Sequence, residues 1–290
     1  MGNLVSICIP TYNGEKYILE ALSSVNAQTY KNIEIIISDD NSNDNTLKIV
    51  NDFIDISKFP IKIVHHKPNG IGANWNNSLK YASGEFIKFL FQDDILKFNC
   101  IYEMVQVLIQ NSNIGLVASK RDFIYDINYL SDDLKVWIQK YGDLQKGLNL
   151  NFAKGKLIID KQLFKKRNFL YSPLNKIGEP STYMFRKKTI KKVGFFREDL
   201  KQILDYEFCY RILKKYDIAI LEETLVKFRL HQNQETNINR GKSINDYNIY
   251  SEIIKKEYFR YLSLKKQIKI LRSSYKFINY LFVLKAKFKR

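Results

Sequence analysis

Cysteine is scarce in this sequence, and its distribution argues against two classes of site. Three cysteines occur among 290 residues. Cys8, Cys100 and Cys209 are far apart, lack the close spacing of zinc-binding pairs and are odd in number. We interpret them as small buried hydrophobic side chains in a reducing compartment. The sequence therefore predicts neither a structural zinc site nor a disulfide framework.

Long apolar runs are also absent. No stretch approaches the ~20 apolar residues that span a bilayer. The best run, residues 277–284, is short and contains Asn279. The sequence does not open with a basic segment followed by an apolar run, so no secretory signal is expected. These features predict a protein that is made and kept in the cytoplasm.

Positive charge and aromatic side chains, by contrast, are abundant. The net charge is +17, and there are 19 tyrosines and 19 phenylalanines. Residues 241–290 hold 13 basic and three acidic residues, a net charge of +10, so more than half of the excess lies in this segment. An acidic partner is expected there, and nucleic acid and an anionic membrane face are the usual candidates.

Short apolar runs alternate with helical patterns over the first 120 residues. Four runs look like buried strands: residues 5–9, 33–37, 61–64 and 86–91. Three segments between them carry apolar residues at helical spacing: residues 15–27, 44–53 and 72–82. This alternation predicts βαβ units and a largely parallel sheet, in which ligands bind at the carboxyl ends of the strands. The loops that follow the first, second and fourth strands should therefore converge on one site.

The periodic pattern weakens over residues 122–176, which we interpret as a variable insertion near that site. Pattern returns at residues 180–185, and a helix is predicted over residues 204–215.

Two adjacent carboxylates, Asp93 and Asp94, follow the fourth predicted strand. Holding two such charges together is costly unless a cation or donor hydroxyl groups neutralise them. Hard oxygen ligands suit Mg²⁺ or Mn²⁺, which would bridge the protein and substrate phosphates. A solvated turn or a helix N-cap is an equally good explanation of the pair taken alone.

A second acidic pair, Asp39 and Asp40, ends the second predicted strand. A carboxylate at this position can accept a hydrogen bond from the ring N–H of uracil, thymine or guanine. A capping turn ahead of the helix that starts near Asp44 is the alternative.

Four spaced motifs, taken together, resemble glycosyltransferase family 2 of the GT-A fold. They are VSICIPTYN at residues 5–13, AQTY at 27–30, IISDDNS at 36–42, and GEFI at 84–87 leading into the aspartate pair at 93–94. The resemblance covers residues 4–120 closely and residues 176–235 more loosely. It implies an α/β fold with a mostly parallel, Rossmann-like sheet flanked by helices. A catalytic domain is expected over residues 1–240, with a nucleotide-sugar-binding half (1–120) and an acceptor and catalytic half (121–240).

The resemblance also implies roles on the donor side. Pro10, Thr11 and Tyr12 would contact the nucleotide base, and the Asp40 carboxylate would recognise that base. Asp93 would contact the ribose.

Other implied donor-side roles concern the metal and the diphosphate. Asp94 would hold Mn²⁺ or Mg²⁺ on the donor diphosphate. Where relatives have Ala-Arg-Asn, this sequence has Asn-Trp-Asn, so Asn76 is kept as a nucleotide-binding candidate and the usual arginine is missing. The backbone N–H groups of the turn at residues 70–72 are candidates to bind the diphosphate instead.

In the second half, Asp205 resembles the family's catalytic base. It lies in LDYEFCYR at residues 204–211, where Leu204 replaces the usual glutamate. Arg211 and Glu179 are candidates for the substrate pocket. His231 resembles a metal-binding histidine, although a lone histidine is as often structural. The implied reaction is an inverting transfer of a sugar from a nucleotide donor, expected to be a UDP-sugar, to a hydroxyl of a glycan or lipid-linked acceptor, as in bacterial surface polysaccharide biosynthesis.

Two other functions are alternatives to a glycosyltransferase. An inactive nucleotide-sugar-binding scaffold is disfavoured because the candidate metal ligand Asp94 and the candidate base Asp205 are both present. A nucleic-acid-binding protein is disfavoured because no basic-aromatic module occurs and the acidic residues cluster at strand ends.

Residues 241–290 are predicted to form a basic amphipathic helical tail. Its apolar residues recur at spacings of three or four: Tyr250, Ile254, Tyr258, Tyr261, Leu264, Ile268, Leu271, Tyr275, Ile278 and Phe282. Such a stripe suits packing on the core or on a second copy of the chain. It equally suits an interfacial helix on an anionic membrane. We expect packing together with a peripheral position on the inner face of the cytoplasmic membrane.

Overall fold

The computed structural model describes residues 2–148, 150–232, 234, 237, 244–275 and 280. Within them, nine strands form one mixed sheet in the order β3-β2-β1-β4-β8-β6-β9-β5, and β7 also pairs with β9. The strands are β1 Val5–Thr11, β2 Ile33–Asp39, β3 Ile61–His65, β4 Phe86–Phe89, β5 Ile95–Leu96, β6 Ile114–Tyr125, β7 Lys156–Ile159, β8 Tyr183–Arg186 and β9 Asp217–Leu230. The α-helices in the same part of the chain are α1 Ile18–Asn26, α2 Thr46–Ile54, α3 Ile71–Tyr81, α4 Cys100–Gln110, α5 Asp132–Tyr141, α6 Ile190–Val193, α7 Leu204–Leu213, α8 Asp246–Ile253 and α9 Leu264–Ser274.

The first four strands are parallel, as the alternating pattern predicts. β1 lies between β2 and β4, and β2 also pairs with β3. Consecutive side chains of β1 enter the cores on opposite faces of the sheet, with Ile7 and Ile9 on one face and Cys8 on the other. Burial on both faces explains why this strand is an uninterrupted apolar run. The loops after β1, β2 and β4 therefore leave the sheet at the same edge.

The second half of the sheet is mixed. β8 is antiparallel to both β4 and β6, whereas β6 and β9 are parallel. The segment interpreted as a variable insertion contributes the end of β6, helix α5 and strand β7, which is antiparallel to β9. Part of that segment thus belongs to the central sheet. Its weak periodicity reflects short elements joined by 3₁₀ turns.

The tail begins as part of the hydrophobic core. Tyr250, Ile254 and Tyr258 of the predicted stripe are buried in the same cluster as residues of α7. Further on, Leu264 at the start of α9 is 71% exposed. Ile278 and Phe282 lie outside the described residues. No helix in the described part of the chain is long and apolar enough to cross a bilayer.

Candidate active site

A cleft of about 1590 Å³ opens where the loops after β1, β2 and β4 meet the loop before α7 and the end of β9. Eight of the residues singled out in the sequence line it: Pro10, Thr11, Tyr12, Asp40, Asp93, Glu179, Asp205 and His231. Three do not line it: Asn76, Asp94 and Arg211. The cleft thus brings together residues from both halves of the sheet, as expected for the carboxyl ends of parallel strands.

Tyr12 is held by a residue that the sequence reading missed. The side-chain amide of Gln92 accepts a hydrogen bond from the backbone N–H of Tyr12 (2.9 Å) and donates one to its carbonyl oxygen (3.0 Å). The Tyr12 side chain remains 56% exposed. A Cβ atom at Gly14 would lie 2.3 Å from the Gln92 side-chain oxygen, so glycine leaves room for this clamp. The pair joins the loops after β1 and β4.

The two aspartates at the end of β2 have different surroundings. Asp39 is buried and accepts hydrogen bonds from the Thr11 hydroxyl (2.8 Å) and from the backbone and hydroxyl of Ser42 (2.8 and 2.6 Å). Asp40 lines the cleft, and its Oδ1 lies 2.7 Å from Nδ1 of His66. The Thr11 hydroxyl is thus committed to Asp39. Asp40 is the member of the pair placed to meet a ligand.

The two aspartates after β4 also have different surroundings. Asp94 is 1% exposed, and its Oδ1 accepts a hydrogen bond from the backbone N–H of Arg229 (3.0 Å). Burial raises the pKa of Asp94 well above its usual range, and the charge of Asp93 raises it further. Asp93 lines the cleft, with its Oδ2 2.9 Å from Nε2 of His231. Asp93 therefore faces the cleft, whereas Asp94 does not line it and keeps a buried Oδ2 that has no hydrogen-bond partner among the described residues.

Arg229 organises the neighbourhood of Asp93 and His231. Its Nε donates to the Asp93 carbonyl oxygen (2.9 Å), and its guanidinium pairs with Glu20 (2.8 Å) and lies 4.3 Å from the ring centroid of Tyr17. The Tyr17 ring in turn lies 5.2 Å from that of His231. These contacts fix the end of β9 against the loop after β4. Sequence reasoning missed Arg229 because both partners are distant in the chain.

Asp93 and His231 provide one carboxylate oxygen donor and one imidazole nitrogen. In the described residues, no group of three or more His, Cys, Asp or Glu side chains could hold a metal ion by itself. Mg²⁺ commonly binds through one or two carboxylates plus substrate phosphates, and Mn²⁺ accepts the same oxygen donors. The pair therefore fits a divalent cation, for which a bound diphosphate and water would supply the remaining ligands.

The start of α3 forms another wall of the cleft. Gly70 has a φ of 89°, a conformation that favours glycine, and the first turn of α3 has no side-chain cap. Helix N–H groups that lack a cap attract anions. Gly70, Ile71 and Asn74 line the cleft here. The turn expected to bind the diphosphate therefore lies at the site.

Asn76, expected to bind the nucleotide, lies elsewhere. Its amide donates to the Phe196 carbonyl oxygen and to Glu198 (both 2.9 Å) and accepts from the Phe196 N–H (2.9 Å). Asn76 thus joins α3 to the segment before α7. Asn74, two residues earlier, lines the cleft instead and accepts a hydrogen bond from the Ser38 hydroxyl (2.6 Å).

Asp205 lies in the first turn of α7 and lines the cleft. Its Oδ2 accepts a hydrogen bond from the Asn175 amide (3.0 Å), and its Oδ1 has no hydrogen-bond partner among the described residues. Burial raises the pKa of Asp205 to about 7, and the nearby Glu179 carboxylate contributes to the rise. A carboxylate with a pKa near neutrality is suited to take a proton from a hydroxyl.

Arg211 does not belong to the pocket. It forms an ion pair with the buried Glu207 (2.9 Å) and donates to the carbonyl oxygens of Val193 and Phe195. Glu207 follows Asp205 by two positions, about 200° around a helix, so the two acids face different surroundings. The Glu207–Arg211 pair therefore attaches α7 to the end of α6.

Comparison with known proteins agrees with this geometry. The sequence profile described as "Glycosyl transferase family 2" matches residues 6–194, more than half of the chain. The chain belongs to glycosyltransferase family 2. An uncharacterized glycosyltransferase of Rickettsia typhi is 30% identical over 95% of this chain and 78% of its own length. A second, from Rickettsia felis, is also 30% identical over 95% of this chain, which spans 41% of that longer protein.

A relative whose name states a specific activity matches a shorter region. The Escherichia coli protein WfgD, named UDP-Glc:alpha-D-GlcNAc-diphosphoundecaprenol beta-1,3-glucosyltransferase, is 41% identical over 42% of this chain and 47% of its own length. The match leaves more than half of either chain uncompared.

Two solved structures share the fold. Staphylococcus aureus TarS in complex with UDP-GlcNAc superposes with a TM-score of 0.65 at 20% identity, over 93% of this chain and 71% of that one. Mannosyltransferase PcManGT from Pyrobaculum calidifontis, in complex with GDP-Man and Mn²⁺, gives 0.58 at 14% identity, over 99% and 81%.

This glycosyltransferase has a smaller cavity beside the cleft. It measures about 260 Å³ and shares five lining residues with the cleft: Tyr129, Glu179, Phe228, Leu230 and Gln234. Helix α5 supplies Trp137 and Asp133 to its other side. Glu179 lies between the two spaces and contacts Arg121, whose side chain is 4% exposed, at 2.8 Å. The cavity thus adjoins the cleft along Glu179 and the end of β9.

Proposed function

We propose that this chain is an inverting glycosyltransferase that moves a sugar from a UDP-sugar to an acceptor hydroxyl. The observation that carries the proposal is the position of Asp205. It lies in the same cleft as Asp40, Asp93 and His231, with a pKa raised to about 7 by burial. One cavity thus holds the proposed catalytic base, the carboxylate proposed to face the nucleotide and the pair proposed to bind the metal.

The donor base is proposed to lie between Tyr12 and Asp40. The exposed Tyr12 ring offers a stacking surface, and its backbone is fixed by Gln92. Asp40 can accept a hydrogen bond from the ring N–H of uracil, and its contact with His66 fixes the carboxylate. Thymine and guanine present a comparable N–H, so dTDP and GDP are the main competitors. The UDP named for both WfgD and the TarS complex supports uracil.

The proposed transfer is a single displacement. Asp205 takes the proton of the acceptor hydroxyl as its oxygen forms a bond to the anomeric carbon. The bond from that carbon to the diphosphate oxygen breaks on the opposite side, and the electron pair leaves with UDP. The anomeric configuration therefore inverts. Asn175 keeps the Asp205 carboxylate oriented by donating to Oδ2.

A divalent cation, Mn²⁺ or Mg²⁺, is proposed at Asp93 and His231. When bound, such an ion neutralises charge that develops on the departing diphosphate. Uncapped N–H groups at the start of α3 would add hydrogen bonds to the same group. This arrangement compensates for the arginine that is absent at Trp75.

The acceptor is proposed to be a glycan, entering on the side of the smaller cavity. Trp137, Tyr129 and Phe228 give that cavity apolar walls, whereas Asp133 and Glu179 offer hydrogen-bond acceptors. Aromatic faces with a few polar groups suit a sugar ring. A lipid-linked acceptor is favoured because the E. coli relative is named for a diphosphoundecaprenol-linked sugar.

A peripheral position on an anionic membrane is proposed for α9. Leu264 is 71% exposed, and Lys265 and Lys269 are exposed on the same helix. Lys266, by contrast, donates to the carbonyl oxygens of Phe164 and Lys166, which attaches α9 to the protein. A helix that presents lysines and an apolar side chain to solvent suits the lipid headgroup region. A membrane-bound enzyme would meet a lipid-linked acceptor directly.

Calorimetry with UDP, GDP, dTDP, CDP and ADP tests the donor assignment. UDP should bind most tightly in the presence of Mn²⁺, and EDTA should weaken its binding. Equal binding of all five diphosphates, unchanged by EDTA, would contradict both the base and the metal proposals.

A further inference from the structure

We infer that Asp246, from the segment that follows the catalytic half, is a positioning residue for the helix that carries Asp205. Its carboxylate fixes the three backbone amides that lead into α7. This inference rests on the proposed function, because it gives Asp246 a part in placing the proposed base.

The contacts of Asp246 are unusually concentrated. Its side chain is 1% exposed, and its two oxygens accept hydrogen bonds from the backbone N–H groups of Lys201 (3.0 and 3.1 Å), Gln202 (2.7 Å) and Ile203 (3.1 Å). Burying a carboxylate is costly unless donors surround it. Three consecutive amides supply such donors here. The loop therefore holds one conformation in which all three N–H groups converge.

This loop lacks a local alternative to that carboxylate. Ile203 is the N-cap of α7, and its side chain cannot accept a hydrogen bond. Helices usually obtain this stabilisation from a polar N-cap side chain. A negative charge near the N-terminus also interacts favourably with the helix dipole. Asp246 supplies both effects from 43 residues further along the chain.

The same loop is a wall of the active site. Lys201, Gln202 and Leu204 line the cleft next to Asp205. The first turn of α7 thus begins directly after the amides that Asp246 holds. Loosening the loop would let Asp205 move and admit water around it. Because displacement of a reacting group by about 1 Å can cost ~10²-fold in rate, this contact bears on turnover.

The Asp246 carboxylate is itself held in place by packing. The Tyr250 ring contacts that of Tyr206 at 5.5 Å, and Tyr258 is fully buried. Glu257 pairs with Lys214 at the other end of α7 (3.1 Å) and with Arg197, which precedes the loop (3.5 Å). The segment from α8 to residue 258 therefore spans α7, and of the two acids only Asp246 holds the amides that lead into the helix. Glu257 therefore provides a matched control for Asp246, because both acids join the segment from α8 to residue 258 to α7 or to the residues that lead into it.

The test compares Asp246→Asn and Asp246→Ala with Glu257→Gln in the full chain. The first readout is the titration of the Asp205 carboxyl carbon by NMR, which needs no substrate. The pKa of Asp205 should fall from about 7 toward ordinary values in both Asp246 variants, because water replaces the buried surroundings. Glu257→Gln should leave it unchanged. Other titratable groups around Asp205 are the same in all variants: Glu179, Tyr183, Tyr206, Cys209 and Tyr247.

The second readout is UDP release from UDP-glucose and UDP-GlcNAc in water, alongside UDP affinity and thermal unfolding. Release should slow by ~10²-fold in Asp246→Ala, with less loss in Asp246→Asn and unchanged UDP affinity. Glu257→Gln is expected to lose only stability. The inference is overturned if the Asp246 variants behave in the same way and keep the Asp205 titration of the parent. Failure of the parent protein to bind UDP would instead overturn the proposed function and leave the titration to judge Asp246.

Discussion

The Asp93 carboxylate lies 2.9 Å from the imidazole of His231, although 138 positions separate them in the chain. Asp93 follows β4 and His231 follows β9, and the short strand β5 pairs antiparallel with β9 just beside them. The contact therefore depends on the register between β5 and β9, two strands that are far apart in the sequence. It also brings together the two side chains that best suit a divalent cation in this cleft.

Replacing Asp93 by Asn should remove metal-dependent UDP binding. An amide is a weaker metal ligand than a carboxylate, so we expect the gain in UDP affinity from Mn²⁺ to fall by at least ~10-fold, as for loss of a hydrogen bond to a charged group. His231→Ala should act in the same direction. Calorimetry with UDP, with and without Mn²⁺, measures both effects.

Asp94→Asn is the matched control for that experiment. Asp94 is buried and hydrogen-bonded to the backbone of Arg229, so its variant should keep the response to Mn²⁺. If Asp94→Asn loses that response and Asp93→Asn keeps it, the metal ligand is Asp94 after all.

Asp205→Asn should separate binding from turnover. The amide cannot take a proton, so the transfer rate should fall by ~10²–10⁴-fold. UDP affinity should stay unchanged because the hydrogen-bond partner of Asp205 is Asn175, whereas the base is proposed to lie between Tyr12 and Asp40. Rate and affinity are measured on the same preparation. A variant with near-normal turnover would show that another group is the base.

The rate should also rise with pH through neutrality. Burial raises the pKa of Asp205 to about 7, and only the ionised form can accept a proton. The group is therefore mostly protonated and inactive below pH 6, and mostly ionised above pH 8. Burial of an ionised carboxylate also costs stability, so this group should destabilise the fold as pH rises from its ordinary pKa toward about 7. A flat rate profile between pH 5 and 8 would argue against Asp205.

Trp137→Ala should impair acceptor use and spare the donor. An aromatic anchor in a pocket is commonly worth more than ~1 kcal/mol, so the KM for a short-chain, diphosphate-linked GlcNAc acceptor should rise about tenfold. Trp137→Phe keeps an aromatic face and should show a smaller effect. UDP release in water should be unchanged in both. A loss of UDP binding would mean that α5 supports the donor side instead.

Changing Lys265 and Lys269 together to Gln should weaken binding to vesicles that contain phosphatidylserine. Each lysine near an anionic surface contributes ~1 kcal/mol, so the pair predicts a loss of about 30-fold at low salt. Lys266 is kept because it holds α9 to the protein. The exposed lysines of α6, Lys191 and Lys192, changed to Gln, control for net charge. Equal loss in both double variants would exclude a specific role for α9.

The edge of the sheet at which the cleft opens was largely predictable because it depends on local pattern. Apolar runs ending in Asp40 and Asp93 indicate parallel strands, whose carboxyl ends necessarily share one edge of the sheet. Both residues line the cleft, as does Asp205 on the other side. The family resemblance indicated which residue of α7 is the candidate base. A single aspartate on a predicted helix would not have indicated this.

What the sequence could not decide is which of two neighbouring side chains faces the cleft. Asp94 is turned toward a backbone N–H of Arg229, 135 residues away, and Asn76 toward Phe196. The tail illustrates the same limit. The apolar stripe of the tail predicts burial but does not indicate which surface it packs against. In the structure, Tyr258 lies in the core and Leu264 lies in solvent.

The late position of Asp246 bears on how the enzyme is made. Protein synthesis delivers the chain from its N-terminus, so a contact can form only after its later residue has been made. The parallel strands β1 to β4 are complete once residue 89 has emerged, whereas the loop before α7 gains its carboxylate only 157 residues later. The Asp93–His231 contact likewise waits for the end of β9. Neither the proposed metal-binding pair nor the wall beside Asp205 can therefore be complete before most of the chain has been synthesised.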